Sequence, residues 1–226
     1  MWTNALATWR QTIARQRALR RRPEGGYTLV ALLALMTVLA LFALAAAPSI
    51  RQQALREREI ETIFRGEEVA DAIRIYYSYK VTHKNLRADQ ALPTSMDELL
   101  EGIPSRTKKV QILRASAARN PLSDSGEWSL VQPRSSKLSN FQRDIMLFAG
   151  NVRPPTNDPQ LKADETLMAP PVLPTLGLAS TGESSGSDEN SSGPFIGVSV
   201  GSKGNSVINY YGIDRHDGWT FTPLFR

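Results

Sequence analysis

The side chains that could transfer protons are two histidines, His83 and His216, which lie far apart in the sequence. Two carboxylates, Asp214 and Asp217, lie near His216, and a histidine beside a carboxylate is one arrangement used in acid–base catalysis. These acids belong to a turn bounded by glycines, where aspartate is favoured because its side chain bonds the local backbone. No cluster of acid, base and nucleophile accompanies them. We therefore expect that the protein is not an enzyme.

Composition and motifs exclude two further kinds of chemistry. The chain has no cysteine, which excludes disulfides and thiolate metal sites. The segment Gly201–Gly204 contains a serine and a lysine, but it lacks the spacing of a phosphate-binding loop and has no helix after it. The sequence predicts no bound cofactor from these residues.

The excess of positive charge is confined to the first 26 residues. The chain carries 27 basic and 22 acidic residues, and six of the arginines but only one acid precede residue 27. The rest of the chain therefore holds 21 residues of each sign. Nucleic acids bind to basic stripes with aromatic residues between them, and no such stripe remains after residue 26. We expect no nucleic-acid partner.

An uncharged apolar segment from Tyr27 to Pro48 follows the basic one. At ~1.5 Å per residue, a helix of this length measures about 33 Å, enough to cross a hydrocarbon core of ~30 Å. Such a helix satisfies its own backbone in lipid. Since basic flanks stay in the cytoplasm, the sequence predicts one pass through a membrane, with the N-terminus cytoplasmic and the C-terminal domain exported.

Three ordinary explanations of this segment are open. A secretory signal could be cleaved after Ala45–Ala47, but Pro48 would then follow the cut, where signal peptidase generally rejects proline. An uncleaved single-pass anchor with a partner-binding domain is the second explanation. A buried helix of a soluble protein is the third, and it fits poorly because a small domain cannot cover so many apolar residues on every side.

The junction between the basic and apolar segments resembles the processing signal of type IV pilins and type II secretion pseudopilins. The resemblance rests on Arg20, Arg21, Arg22, Gly25, Gly26, Tyr27, Leu29, Val30, Leu32 and Leu33. In that family a prepilin peptidase cuts after a glycine and methylates the new N-terminus. The resemblance implies a cut between Gly26 and Tyr27, recognition through the three arginines and Gly25, and an apolar helix that packs in membrane and filament.

Two residues depart from the family's pattern. Tyr27 stands where phenylalanine is usual, which keeps an aromatic ring. Ala31 stands where the family carries a glutamate, whose charge is explained by pairing with the N-terminal amine of a neighbouring subunit. Family members without this glutamate tend to be minor subunits, so the resemblance implies a minor subunit.

The same resemblance makes calcium a candidate ligand of this chain, because major pseudopilins bind this ion in a C-terminal loop. The oxygen donors that could serve here are Asp124, Asp214 and Asp217. Their spacing matches no known calcium loop, so they are weak candidates.

A polar-faced helix should continue after Pro48, which we expect to kink or loosen it, as far as about Lys80. Its apolar stripe has a period near 3.5 residues and is predicted to pack on a core. The stripe comprises Ile60, Ile63, Phe64, Ala70, Ile73 and Tyr77. A short helix should follow, with Ser95 or Thr94 as its cap, Glu98 completing a capping box with Ser95, and Gly102 ending it.

The remaining chain alternates between strand-like and low-complexity segments. Trp128 and Leu130 alternate as in a strand after a turn at 123–126, whereas residues 132–193 are rich in Pro, Ser and Gly and are predicted to be a partly disordered insertion. The apolar group at 141–148 within it fits either a docked helix or a partner contact. Three strand candidates follow at 194–200, 206–211 and 218–221, and short links between them favour an antiparallel sheet.

These observations predict an α+β fold in which a long N-terminal helix, half of it transmembrane, packs on a small antiparallel sheet, as in pilins. The predicted divisions are a leader at 1–26, a transmembrane half-helix at 27–48, an exported helix and first part of the domain at 49–131, the insertion at 132–193 and C-terminal strands at 194–226. The function implied by the resemblance is that of a non-catalytic filament subunit. Its partners would be other pilin-like subunits, prepilin peptidase, an inner-membrane assembly platform and lipid.

Overall fold

The computed structural model of the protein describes residues 26–88, 90–105, 108–170 and 193–225, and it leaves out the side chains of residues 45–49. Residues 1–25 of the predicted leader and residues 171–192 of the predicted insertion lie outside this described part. The chain divides into two compact units, Met1–Arg51 and Gln52–Arg226. Helices and small antiparallel sheets are both present, so the α+β class is confirmed.

The helices and strands follow in an order that mixes the two types. The helices are α1 (Tyr27–Lys84), α2 (Met96–Glu101), α3 (Ser136–Phe148), α4 (Pro159–Ala163) and α5 (Glu165–Met168). The strands are β1 (Ile103–Ser105), β2 (Lys108–Val110), β3 (Ser129–Val131), β4 (Gly197–Ser199), β5 (Asn205–Tyr210), β6 (Ile213–Arg215) and β7 (Thr220–Phe221). Short 3-10 turns cover His216–Gly218 and Pro223–Phe225.

In the described part of the chain, the strands form three separate antiparallel sheets, with the orders β1-β2, β3-β4-β7 and β5-β6. Two of the three C-terminal strand candidates, β4 and β7, pair antiparallel as predicted, whereas the candidate at 206–211 lies in a different sheet. β4 pairs with β3 and β7, while β5 turns back on the additional strand β6 through Tyr211 and Gly212, both of which have positive φ. Two such residues make the tight turn whose twist suits a hairpin.

The part of α1 in the second unit buries only part of the predicted apolar stripe. Ala70, Ile73 and Tyr77 are buried as expected, but Ile60 and Phe64 are 53% and 56% exposed. The buried side begins instead with Glu59, Thr62 and Gly66 and continues through Val69. Polar and small residues occupy the first two turns of this face, so hydrophobic periodicity alone could not identify it.

Gly66 allows the helix to approach the sheet closely. A Cβ atom at this position would overlap the ring of Phe221 in β7. Phe221 in turn meets Trp128 edge-on, with 5.8 Å between the ring centroids, and the Trp128 indole donates to the carbonyl of Ala117 at 3.0 Å. The helix backbone, the sheet and the loop before β3 are therefore packed in one core.

The short helix α2 has its N-cap at Ser95, one of the two predicted residues, but it lacks the predicted capping box. Ser95 occupies the N-cap position without a side-chain hydrogen bond, and Glu98 accepts instead from the backbone and hydroxyl of Thr94. The predicted stop at Gly102 is correct in that this residue has φ of +75°. A side chain there would also collide with the backbone of Val110.

The predicted insertion contains part of the core. α3 docks through Leu138, Phe141 and Ile145, and α4 and α5 contribute Leu161 and Met168, all of them buried. The apolar group at 141–148 thus belongs to a docked helix, with Phe141 and Ile145 on its buried side. Within residues 136–168 the prolines and polar residues separate short helices that pack on the core. That the insertion is partly disordered stays a prediction, because residues 171–192 lie outside the described residues.

Candidate processing and interaction sites

The predicted cleavage junction lies at the start of α1. The helix begins at Tyr27, and Gly26 is a turn residue whose carbonyl accepts from the Val30 amide at 3.4 Å. Among the described residues other than its chain neighbours, none has an atom within 4 Å of where a Gly26 Cβ would be, and Tyr27 is 86% exposed. Arg20, Arg21, Arg22 and Gly25 lie outside the described residues.

The first part of α1 exposes its apolar side chains on all sides. Its window Tyr27–Leu44 has a mean hydropathy of 2.5 and no buried residue, so this helix is long and apolar enough to cross a membrane. The exposed set includes the predicted contact residues Leu29, Val30, Leu32 and Leu33. Such a surface is stable only when lipid or other apolar side chains cover it.

Within this window the hydroxyl of Thr37 is bonded inside the helix. The Thr37 hydroxyl donates to the Ala34 carbonyl at 2.8 Å, which leaves no free donor on that side chain. Ala31 is exposed and supplies no carboxylate. The helix continues through Pro48, whose side chain lies outside the described part. The apolar side chains of Tyr27–Leu44 can therefore be covered by lipid or pack on another helix.

A buried carboxylate that the sequence did not reveal lies further along α1. Glu59 is fully buried and accepts from the amides of Val207 and Ile208 at 2.8 to 3.1 Å. Its Oε1 also lies 2.8 Å from Nε2 of His216, which is 3% exposed. The imidazole rests edge-on against Trp219, with 5.1 Å between centroids.

This contact gives His216 a structural role. Its backbone amide donates to the Gly204 carbonyl at 3.0 Å, so both ends of the residue are held. The flanking acids are engaged elsewhere: Asp217 accepts from Arg215, and Asp214 accepts from Asn209 at 2.9 Å. The carboxylate partner of His216 comes from α1 and not from its own turn, a pairing across 157 residues that no local spacing signals.

Two consecutive tyrosines fasten α1 to segments on either side of it. The Tyr76 hydroxyl donates to Glu98 of α2, and the Tyr77 hydroxyl donates to Asp164 between α4 and α5. Burial raises the pKa of both phenols, and their carboxylate partners raise it further. Desolvation raises the pKa of Glu98, but the hydrogen bonds from Thr94 and Tyr76 lower it. The net result is a pKa below the ordinary value. The predicted apolar stripe included Tyr77, but nothing in the sequence indicated the partner of either hydroxyl.

The calcium candidates are not assembled into one site. Asp124 and Asp217 line a surface cleft of about 840 Å³ at the end of the β3-β4-β7 sheet, but Asp214 does not. The cleft also holds Lys137, whose ammonium donates to Ser129 at 2.8 Å. In the described part of the chain, no group of three or more His, Cys, Asp or Glu residues could hold a metal ion.

Comparisons with models of known families, with curated proteins and with solved structures found no match for this chain.

Proposed function

We propose that this chain is a structural, non-catalytic subunit of a pilin-like filament, of the kind that serves type II secretion or type IV pili. It is held in the inner membrane by α1, with its leader in the cytoplasm and its domain in the periplasm. Prepilin peptidase removes residues 1–26 and methylates Tyr27. The subunit then joins others through their N-terminal helices on an assembly platform, and Ala31 marks it as a minor subunit.

One observation carries this proposal. α1 begins at Tyr27, one residue after the glycine of the processing motif, and its first 18 residues form an apolar window with nothing buried. A signal peptide that is removed needs no continuation into the domain, whereas this helix is continuous to Lys84. Such a helix suits a subunit that is stored in lipid and later exchanges lipid for neighbouring helices.

The processing step is tested by expressing the full chain with and without an active prepilin peptidase. We expect a size decrease that corresponds to loss of the first 26 residues, and only when the peptidase is active. Gly26→Val should prevent the decrease because it puts a branched side chain beside the cut. Thr28→Val, which places the same valine side chain two residues beyond the cut, is the control and should be processed normally. An unchanged size in the presence of active peptidase would contradict the proposal.

The subunit role is tested separately by a photo-crosslinking side chain placed at Leu33, which is 55% exposed. A filament subunit should give protein–protein crosslinks to other apolar N-terminal helices after processing. The competing function is an uncleaved anchor whose domain binds a partner, for which the cleft of about 840 Å³ offers a surface. An anchor would keep Met1 and give crosslinks from cleft positions such as Ser202, but none from Leu33.

A further inference from the structure

The β5-β6 hairpin stands apart from the other strands. In the described part of the chain it forms its own two-stranded sheet, with no ladder to β3, β4 or β7. Residues along β5 alternate between exposed and half-buried. An isolated two-stranded hairpin is marginally stable in water, so this one depends on how it is fastened to its surroundings.

The tip of the hairpin is fastened by aromatic rings. Tyr211 meets Phe148 and Phe141 of α3 edge-on, at centroid distances of 6.0 and 6.5 Å. Tyr210 packs on Trp219 at 5.7 Å, and the Trp219 indole donates to the Ile213 carbonyl at 3.2 Å. These contacts lie at the turn end of the hairpin. They do not hold its open end, where β5 begins and β6 ends.

The other end is held by Glu59. The β5-β6 pairing is irregular between Asn205 and Tyr210, as in a β-bulge, and two consecutive amides, Val207 and Ile208, both reach the Glu59 carboxylate. A regular strand would turn successive amides to opposite sides. With Nε2 of His216 at 2.8 Å, the bulge makes a receptor for one carboxylate.

Among the described residues, the titratable side chain that contacts the Glu59 carboxylate in this receptor is His216. The charged residue before it, Arg215, is exposed and pairs with Asp217. Glu57 lies two residues before Glu59, and so on the opposite side of the helix, and it is exposed. Glu59 is fully buried, so water cannot replace the bonds that it makes to the hairpin.

We propose that the β5-β6 hairpin is a strap that is closed on α1 by the Glu59 carboxylate and can open while the β3-β4-β7 core stays folded. Opening separates the bulge amides and His216 from Glu59 and uncovers Trp219. The inference concerns the second unit alone and does not depend on the proposed membrane or filament role.

The test is hydrogen exchange on the full-length protein in detergent, comparing wild type with Glu59→Gln. Glutamine keeps the size of the side chain but turns an amide N–H₂ toward the backbone N–H donors. We expect amides of residues 205–215 to exchange at least about tenfold faster, the factor for one lost buried hydrogen bond, while those of Val131 and Val198 keep their rates. Glu57→Gln, the matched control on the same helix, should behave as wild type.

Equal acceleration of the hairpin and of β3 and β4 would overturn the proposal, because the hairpin would then not open on its own. Unchanged exchange rates at residues 205–215 would overturn it too, since Glu59 would then not hold the hairpin on α1. If Glu59→Gln does not fold, hydrogen exchange of the wild type in low denaturant is the test. The strap predicts a shared opening of residues 205–215 that leaves Val198 protected, and a single opening for both sets contradicts it.

Discussion

Gly66 is the residue at which α1 comes closest to the sheet. Its lack of a side chain lets the Phe221 ring lie against the helix backbone, and both residues belong to the core of the second unit. Glycine normally weakens a helix by about 1 kcal/mol relative to alanine. Its presence here is therefore explained by packing and not by helix formation.

This explanation predicts the sign of a substitution. Gly66→Ala should destabilise the protein by about 1–3 kcal/mol, the cost of overpacking, although alanine is the better helix former. Thermal unfolding of the full-length protein in detergent measures the change. Gln53→Ala, on an exposed position of the same helix, is the control and should be neutral or stabilising. Adding Phe221→Leu to Gly66→Ala should cost less than the two separate changes together, and strict additivity would refute the contact.

The tyrosine pair gives a second prediction at this scale. Tyr77→Phe removes a buried hydroxyl that donates to Asp164, and should cost about 1.5–3 kcal/mol because hydrogen bonds to charged groups are stronger than neutral ones. Tyr76→Phe should cost less, since Glu98 keeps its bonds from Thr94. Tyr79→Phe is the control, because that ring stacks on His83. Chemical denaturation compares the three, and equal effects would argue against the assigned hydroxyl contacts.

A third prediction concerns pH. The hydrogen bond from Arg114 holds the pKa of Glu68 below its ordinary value of 4.5. A carboxyl with a depressed pKa stabilises the fold above the unfolded pKa, and this contribution is lost as pH falls through the folded pKa. The wild type should therefore exceed Arg114→Met in melting temperature at neutral pH, by a margin that shrinks below about pH 4.5. The margin is small because the pair is solvent-exposed. Lys109→Met, at an exposed pair with Glu101, is the control; a constant margin would disprove the linkage.

Among the elements, the helices and strands with regular apolar spacing were predictable from the sequence. α1 was predicted from its apolar window and the stripe at Ala70, Ile73 and Tyr77, and β3 from Trp128 and Leu130. The sequence did not decide whether the apolar face of α3 docks on the domain or contacts a partner, because the segments around it are rich in proline. The strap and its receptor could not be predicted, since Glu59 is a charged residue on a charged helix and its partners lie about 150 residues away.

The apolar window of α1 also supports a prediction at this scale. Leu35→Arg combined with Leu39→Arg places two charges near the middle of Tyr27–Leu44, each costing roughly 2.5–3.5 kcal/mol in a bilayer. The double variant should move from the carbonate-resistant membrane fraction to the soluble or aggregated one. Ile60→Arg changes an exposed apolar residue of the second unit and should leave the partition unchanged. Membrane retention of the double variant would mean that another segment anchors the chain.

As proposed, the whole molecule combines a leader that is removed, an apolar helix that is covered by lipid or by other helices, and a folded domain with a helix-bound strap. The first two parts of this proposal rest on the resemblance at Gly26 and Tyr27 and on the exposed apolar window. The contacts within the folded domain do not depend on the filament role. The filament role is therefore tested at the N-terminus.

The most direct measurement is mass spectrometry of the N-terminal peptide of the membrane-bound protein from cells with active prepilin peptidase. We predict a peptide that begins at Tyr27 and carries a methyl group on its amine. A peptide that begins at Met1, or a protein recovered at full length from the soluble fraction, would contradict the account.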